Sequence, residues 1–168
     1  MNSMRFKFSF IALTWLSLLV LGSSFYLEYS VGLKPCPLCL MQRYLVVLIC
    51  VTSLLASRWM HKSAVKPVLG LQLFLALAGL YFAGRQLWLE SLPADQTPAC
   101  MPSLDVLIHY FPWKDVLKAL FLGSGDCGKV EWSLLGLSLA AWSLIYFAVI
   151  FISTLFLMIK YKPILPQE

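Results

Sequence analysis

Residues 33–57, LKPCPLCLMQRYLVVLICVTSLLAS, decide how this chain is read. From Leu38 to Ser57 the stretch is apolar apart from a few polar side chains and one charge, Arg43. That is close to the ~20 residues an α-helix needs to cross roughly 30 Å of hydrocarbon. Three similar stretches, 8–26, 65–89 and 134–159, flank it. With 60% hydrophobic residues, 12% charged residues and a mean hydropathy of +0.80, the chain as a whole is built for lipid. In hydrocarbon every backbone N–H and C=O must be paired within its own segment, so each stretch is predicted to be a helix. The expectation is an all-α, four-transmembrane-helix bundle: one integral membrane domain, 1–168, with loops at about 27–37 and 90–133 on one side.

Lys and Arg placement sets the expected orientation. Arg5 and Lys7 precede the first span, Arg58, Lys62 and Lys66 join the second to the third, and Lys160 and Lys162 follow the fourth. The other side mixes acids (Glu28, Glu90, Asp95, Asp105, Asp115, Asp126, Glu131) with bases. The bias places both termini in the cytoplasm. The net charge of +5 is mostly this topology signal. Split among three short segments, the basic residues form no stripe for nucleic acid. The first span imitates a secretory signal at Gly22, Ser23 and Ser24, but its apolar run continues through Leu27 and its loss would break the charge pattern.

Of the five cysteines, Cys36, Cys39, Cys100 and Cys127 fall on the outer side, where disulfides persist. Cys50 lies within the second span and reads as a small buried hydrophobe. Pro35 and Pro37 keep the entry to that span extended, and Pro37 suits a first helical position. Cys36 and Cys39 therefore straddle a helix N-terminus, whose dipole and free N–H groups lower a cysteine pKa from about 8.5 toward about 7 or below. Arg43 follows Cys39 by four residues, one turn along the same face. It reads either as a snorkelling interfacial arginine or as support for a Cys39 thiolate and a donor to the carbonyl oxygen of a bound carrier. Arg85 is a weaker second candidate, better explained by snorkelling. A four-cysteine zinc site is possible in principle, but an oxidising compartment and the loose spacing of Cys100 and Cys127 speak against it, so no metal is expected.

The second loop places Cys100 among Pro93, Pro98 and Pro102, and Cys127 among Gly123, Gly125 and Gly128, in chain expected to be irregular and accessible. Between them, Ser103 to Leu122 has roughly helical apolar spacing on either side of Pro112, predicting one or two short helices in the bilayer interface or on top of the bundle. His109 in this stretch reads as a surface residue.

LKPCPLCLMQRY, the second cysteine pair with SGDC at Ser124 to Cys127, the EWSLLGL run from Glu131 to Leu137, and four spans with a long second outer loop resemble the disulfide bond formation protein B family, DsbB. The resemblance implies an inner-membrane oxidoreductase that reoxidises DsbA, a periplasmic thioredoxin-fold dithiol oxidase, and passes the electrons to the membrane quinone pool, ubiquinone or menaquinone. It implies that Cys100 is attacked by the oxidase, that Cys127 is then released to attack Cys36, and that Cys39, with Arg43 beside it, faces the quinone. Pro37 between the first pair implies a changed reduction potential with the same mechanism. A paralogue serving a dedicated oxidase would look much the same. A vitamin K epoxide reductase-like enzyme would place its active pair nearer the last spans, and a scaffold with structural disulfides would not explain Arg43.

Overall fold

The computed structural model describes residues 3–33, 35–59, 65–93, 96, 98, 104–130 and 132–160. Among these are six α-helices: α1 (Ser3–Ser30), α2 (Pro37–Trp59), α3 (Val65–Glu90), α4 (Leu104–Tyr110), α5 (Trp113–Leu122) and α6 (Leu139–Lys160). A 3-10 turn, Gly125–Gly128, and a minimal hairpin, β1 (Ser133–Leu134) with β2 (Leu137–Ser138), lie between α5 and α6. Helices α1, α2, α3 and α6 are long and apolar enough to cross a membrane. Large side chains such as Phe8, Trp15, Leu19, Phe74 and Ile152 point outward from them. On a soluble protein that surface would drive aggregation, whereas on spans it meets acyl chains. The chain is a multi-pass membrane protein of the four-helix class.

At the end of the bundle that carries the long loop, two boundaries differ from the hydropathy reading by more than one residue. Helix α1 continues to Ser30, which shortens the first loop. Helix α6 begins at Leu139, five residues after position 134, because Leu135 and Gly136 have φ of 54° and 79°. Two successive positive φ values close a two-residue hairpin and cannot continue a right-handed helix. Leu134 is therefore strand, although its apolarity suits a span.

Helix α1 packs on α2, α2 on α3, and α3 on α6. The last contact is closest at Gly79, where an added Cβ would lie 2.2 Å from Phe147 Cδ1. Small residues let spans approach, since lipid supplies no hydrophobic drive between them. Buried side-chain hydrogen bonds tie the helices together: Gln72 Nε2 to Ser53 Oγ at 2.6 Å between α3 and α2, and Ser17 Oγ with Tyr146 Oη at 2.7 Å between α1 and α6. Each such bond contributes ~0.6–2 kcal/mol in a bundle.

The predicted helical stretch before Cys127 forms α4 and α5, divided at Phe111 and Pro112. Leu107, Val116 and Ala119 make their shared core, while Tyr110, Trp113 and Leu117 stay exposed. Arg85 serves this packing. Its Nε donates to Leu122 O at 3.1 Å, meeting a carbonyl left free at the α5 C-terminus, and its guanidinium lies 4.1 Å from the Trp88 ring centre.

Candidate functional site

The N-terminus of α2 is built from sulfur. Cys36 is its cap: Cys36 O accepts the first helical bond from Leu40 N at 3.0 Å, and Cys36 Sγ accepts from the backbone N–H of Cys39 at 3.4 Å, the role a serine oxygen usually fills. Pro37 opens the helix, where its missing N–H costs nothing. The Cys36 and Cys39 sulfurs are 2.8 Å apart. A further N–H of this helix start, that of Leu38, favours the charged form of Cys127.

Cys127 arrives from far along the chain and is buried, 1% exposed, where the glycine-rich loop suggests accessibility. Gly123 explains how. Its φ is +79°, and a Cβ there would lie 2.7 Å from Leu38 Cδ1 and 2.7 Å from Leu89 Cδ1. Glycine thus lets the chain turn tightly onto the ends of α2 and α3. The 3-10 turn follows, held by Cys127 N to Ser124 O at 2.9 Å, and seats Cys127 in the central core.

The Cys36 and Cys127 thiols act on each other, and their acidities move apart. Cys36 is pushed well above the ordinary thiol range, first by its bond to Cys127, then by its bond to Cys39 and by burial. Cys127 is pulled down to about 6, first by the bond from Cys36; burial opposes this, and the Leu38 N–H together with the N–H and hydroxyl of Ser124 assist it. Of this pair Cys127 is the sulfur whose charged form is favoured, by a helix end and by a neighbouring thiol.

Cys39 Sγ donates toward Gln86 Oε1 at 3.5 Å, and the same oxygen accepts from Gln42 Nε2 at 2.8 Å. Arg43 faces α1: Nε donates to Ser24 Oγ at 3.0 Å, Nη1 pairs with Glu28 Oε2, and Cζ lies 4.7 Å from the Phe25 ring centre. Cys36, Cys39, Gln42, Arg43, Gln86 and Glu90 line the polar end of a cavity of about 840 Å³, whose remaining wall includes Leu16, Val20, Tyr146 and Val149. The cavity lies between α1 and α6, with the Ser17–Tyr146 bond spanning the two helices. Such a mainly apolar space with a few convergent polar groups has the size and character of a small-molecule site.

Of the residues singled out from sequence, Cys36, Cys39, Cys127 and Arg43 come together here, and Cys100 lies outside the described residues. Cys50 is buried in α2, its sulfur 4.0 Å from Thr14 O. Sequence reasoning missed Glu28, Ser24, Gln42 and Gln86. A signal existed for two of them: Ser24 and Glu28 are polar, spaced i and i+4, at the end of an otherwise apolar span.

The family model described as disulfide bond formation protein DsbB matches residues 6–157. Among curated relatives, disulfide bond formation protein B of Marinobacter nauticus is 44% identical over 146 residues, covering 86% of this chain and 87% of the relative. That of Hahella chejuensis is 43% identical over 129 residues (76% and 78%). Disulfide bond formation protein B 1 of Pseudomonas aeruginosa is 40% identical over 129 residues (76% and 79%). Four spans, clustered thiols and these likenesses agree: the chain belongs to the DsbB family of disulfide bond formation membrane proteins.

Proposed function

We propose that this chain is a protein-dithiol:quinone oxidoreductase that regenerates a DsbA-like periplasmic oxidase and so sustains disulfide formation in secreted proteins. The carrying observation is that the Cys36 and Cys39 sulfurs, 2.8 Å apart and with the Cys127 thiol acting on Cys36, lie in the wall of the 840 Å³ cavity. In this reading a reduced oxidase attacks a Cys100–Cys127 disulfide at Cys100 and leaves Cys127 as thiolate. Cys127 then attacks Cys36 in a Cys36–Cys39 disulfide: the 127–36 bond forms, the 36–39 bond breaks, and the electron pair departs on Cys39. Each exchange needs a thiolate, and the low pKa of Cys127 supplies one.

The cavity's donors and its apolar remainder suit a ring with carbonyl oxygens and an isoprenoid tail. Arg43 and Gln42 would hold such a ring, and Leu16, Val20 and Val149 its tail. Once the oxidase's second thiol displaces Cys100 and leaves with its own disulfide, and Cys100 recloses on Cys127, Cys36 and Cys39 would return to their disulfide by giving two electrons to a bound quinone, which would take up two protons as quinol. Lys7, Arg58, Lys66 and Lys160 flank the spans at the end away from the thiols, which supports an inner-membrane placement with both termini cytoplasmic and the sulfurs periplasmic.

Purified protein given reduced DsbA is expected to reduce a soluble quinone analogue, and Cys39→Ser is expected to abolish that. Quinone reduction at the wild-type rate by Cys39→Ser rejects the assignment.

A further inference from the structure

We infer that Glu28, on α1, is the positioning residue that holds the Arg43 guanidinium in the cavity wall, so that Arg43 can donate to a quinone carbonyl there. The inference rests on the quinone reading above and adds a residue to it. Arg43 is a long, flexible side chain at the rim of a span, where an unpaired guanidinium extends toward water. Here three neighbouring positions of α1 hold it. Glu28 pairs with Nη1, Ser24 Oγ accepts from Nε at 3.0 Å, and the Phe25 ring lies beneath Cζ at 4.7 Å.

Ser24 and Glu28 are one helical turn apart, and by taking two in-plane donors of a planar group they fix its plane. Side-chain exposures of 15% for Arg43 and 27% for Glu28 show that the pair is partly desolvated. Its attraction is therefore screened less than that of a surface ion pair. Among the described residues no partner takes Nη2 of Arg43, which leaves donors on a side chain that lines the cavity. Arg43, Glu28 and Ser24 all line that cavity. The tether also cancels the arginine's charge, so a neutral ring enters a site with no net charge from this pair.

Two measurements test this, and the first needs no quinone. Phenylglyoxal, a dicarbonyl that attacks arginine, is applied to the quinone-free protein and modification of Arg43 is followed by mass spectrometry. Glu28→Ala is expected to be modified about tenfold faster than wild type or more, the scale set by losing one charge-assisted bond, with Glu28→Asp close to wild type. The second is the Kd of a decyl-benzoquinone read by quenching of Trp132 and Trp142, which line the cavity. Glu28→Ala is expected to bind about fivefold to tenfold more weakly and Glu28→Asp to recover most of the loss. The Glu28→Ala/Arg43→Met double variant should bind no worse than Arg43→Met, because Glu28 acts through Arg43. Equal phenylglyoxal rates in wild type and Glu28→Ala overturn the tether. Losses that multiply in the double variant overturn the action through Arg43. Wild-type protein that protects Arg43 yet binds no quinone analogue overturns the quinone reading and, with it, the ligand assigned to this arginine.

Discussion

Gln86 Oε1 accepts a hydrogen bond from Gln42 Nε2 at 2.8 Å, joining α3 to α2 beside the Cys39 sulfur. Both glutamines are 5% exposed, so neither amide can turn to water if its partner is lost. Gln86→Leu is expected to lower stability by about 1–3 kcal/mol, the scale of an orphaned buried donor. Gln42→Leu/Gln86→Leu should recover part of this by removing both polar groups. Thermal unfolding in detergent micelles measures each; a double variant less stable than Gln86→Leu would contradict the pairing.

The thiol cluster predicts an unusual titration. In the reduced protein, the thiolate absorbance that Cys127→Ala removes should titrate with a midpoint near pH 6, well below an ordinary thiol's 9.0, and Cys36→Ala should raise that midpoint. The sign for stability follows. A group whose acidity is strengthened by folding contributes stability that is complete above its unfolded pKa and is lost as pH falls through its folded one. The reduced protein should therefore gain stability between about pH 6 and pH 9, and Cys127→Ala should remove that slope. Cys36, shifted upward, acts oppositely, and its contribution declines only above the ordinary thiol range. A flat profile of thermal midpoint against pH in wild type would refute this.

Gly123 is the hinge on which Cys127 reaches α2. Gly123→Ala combines a positive φ with Cβ contacts of 2.7 Å to Leu38 and Leu89. The left-handed backbone costs about 1–2 kcal/mol by itself. The 3-10 turn is expected to lift, moving the titration midpoint of the Cys127 thiolate absorbance toward that of a free thiol. Slower copper-catalysed crosslinking of Cys36 to Cys127, read as a gel mobility shift, would accompany it.

At the α3–α6 contact, Gly79→Ala places a methyl 2.2 Å from Phe147 Cδ1, in a ring with 0% exposure. Overpacking of this kind costs typically ~1–3 kcal/mol. Phe147→Leu in the same background should restore part of the loss, because the smaller side chain makes room. Unfolding in micelles compares the three proteins.

The sequence was most informative where structure is local. Twenty apolar residues in hydrocarbon leave helix as the available conformation, so the four spans were legible, as was a helix start at Pro37 straddled by Cys36 and Cys39. One or two short helices on either side of Pro112 followed from the apolar spacing, and the structure forms two. The start of α6 was misplaced because Leu134 to Leu137 are as apolar as a span, while what ends the hairpin is backbone handedness at Leu135 and Gly136.

What composition and spacing determined by themselves was the solvent, the number of crossings and the kind of chemistry, since those depend on residue type and on neighbours within a turn. Tertiary structure alone decided that Cys127 is buried against Cys36, that Glu28 and not Cys39 is the partner of Arg43, and that Gln86 sits beside Cys39. Each of these joins residues on different helices or on a distant loop. The physical reason is that packing in a bundle is set by shape, by small residues such as Gly79 and Gly123, and by the need to pair each buried polar atom, none of which leaves a periodic trace along a single segment.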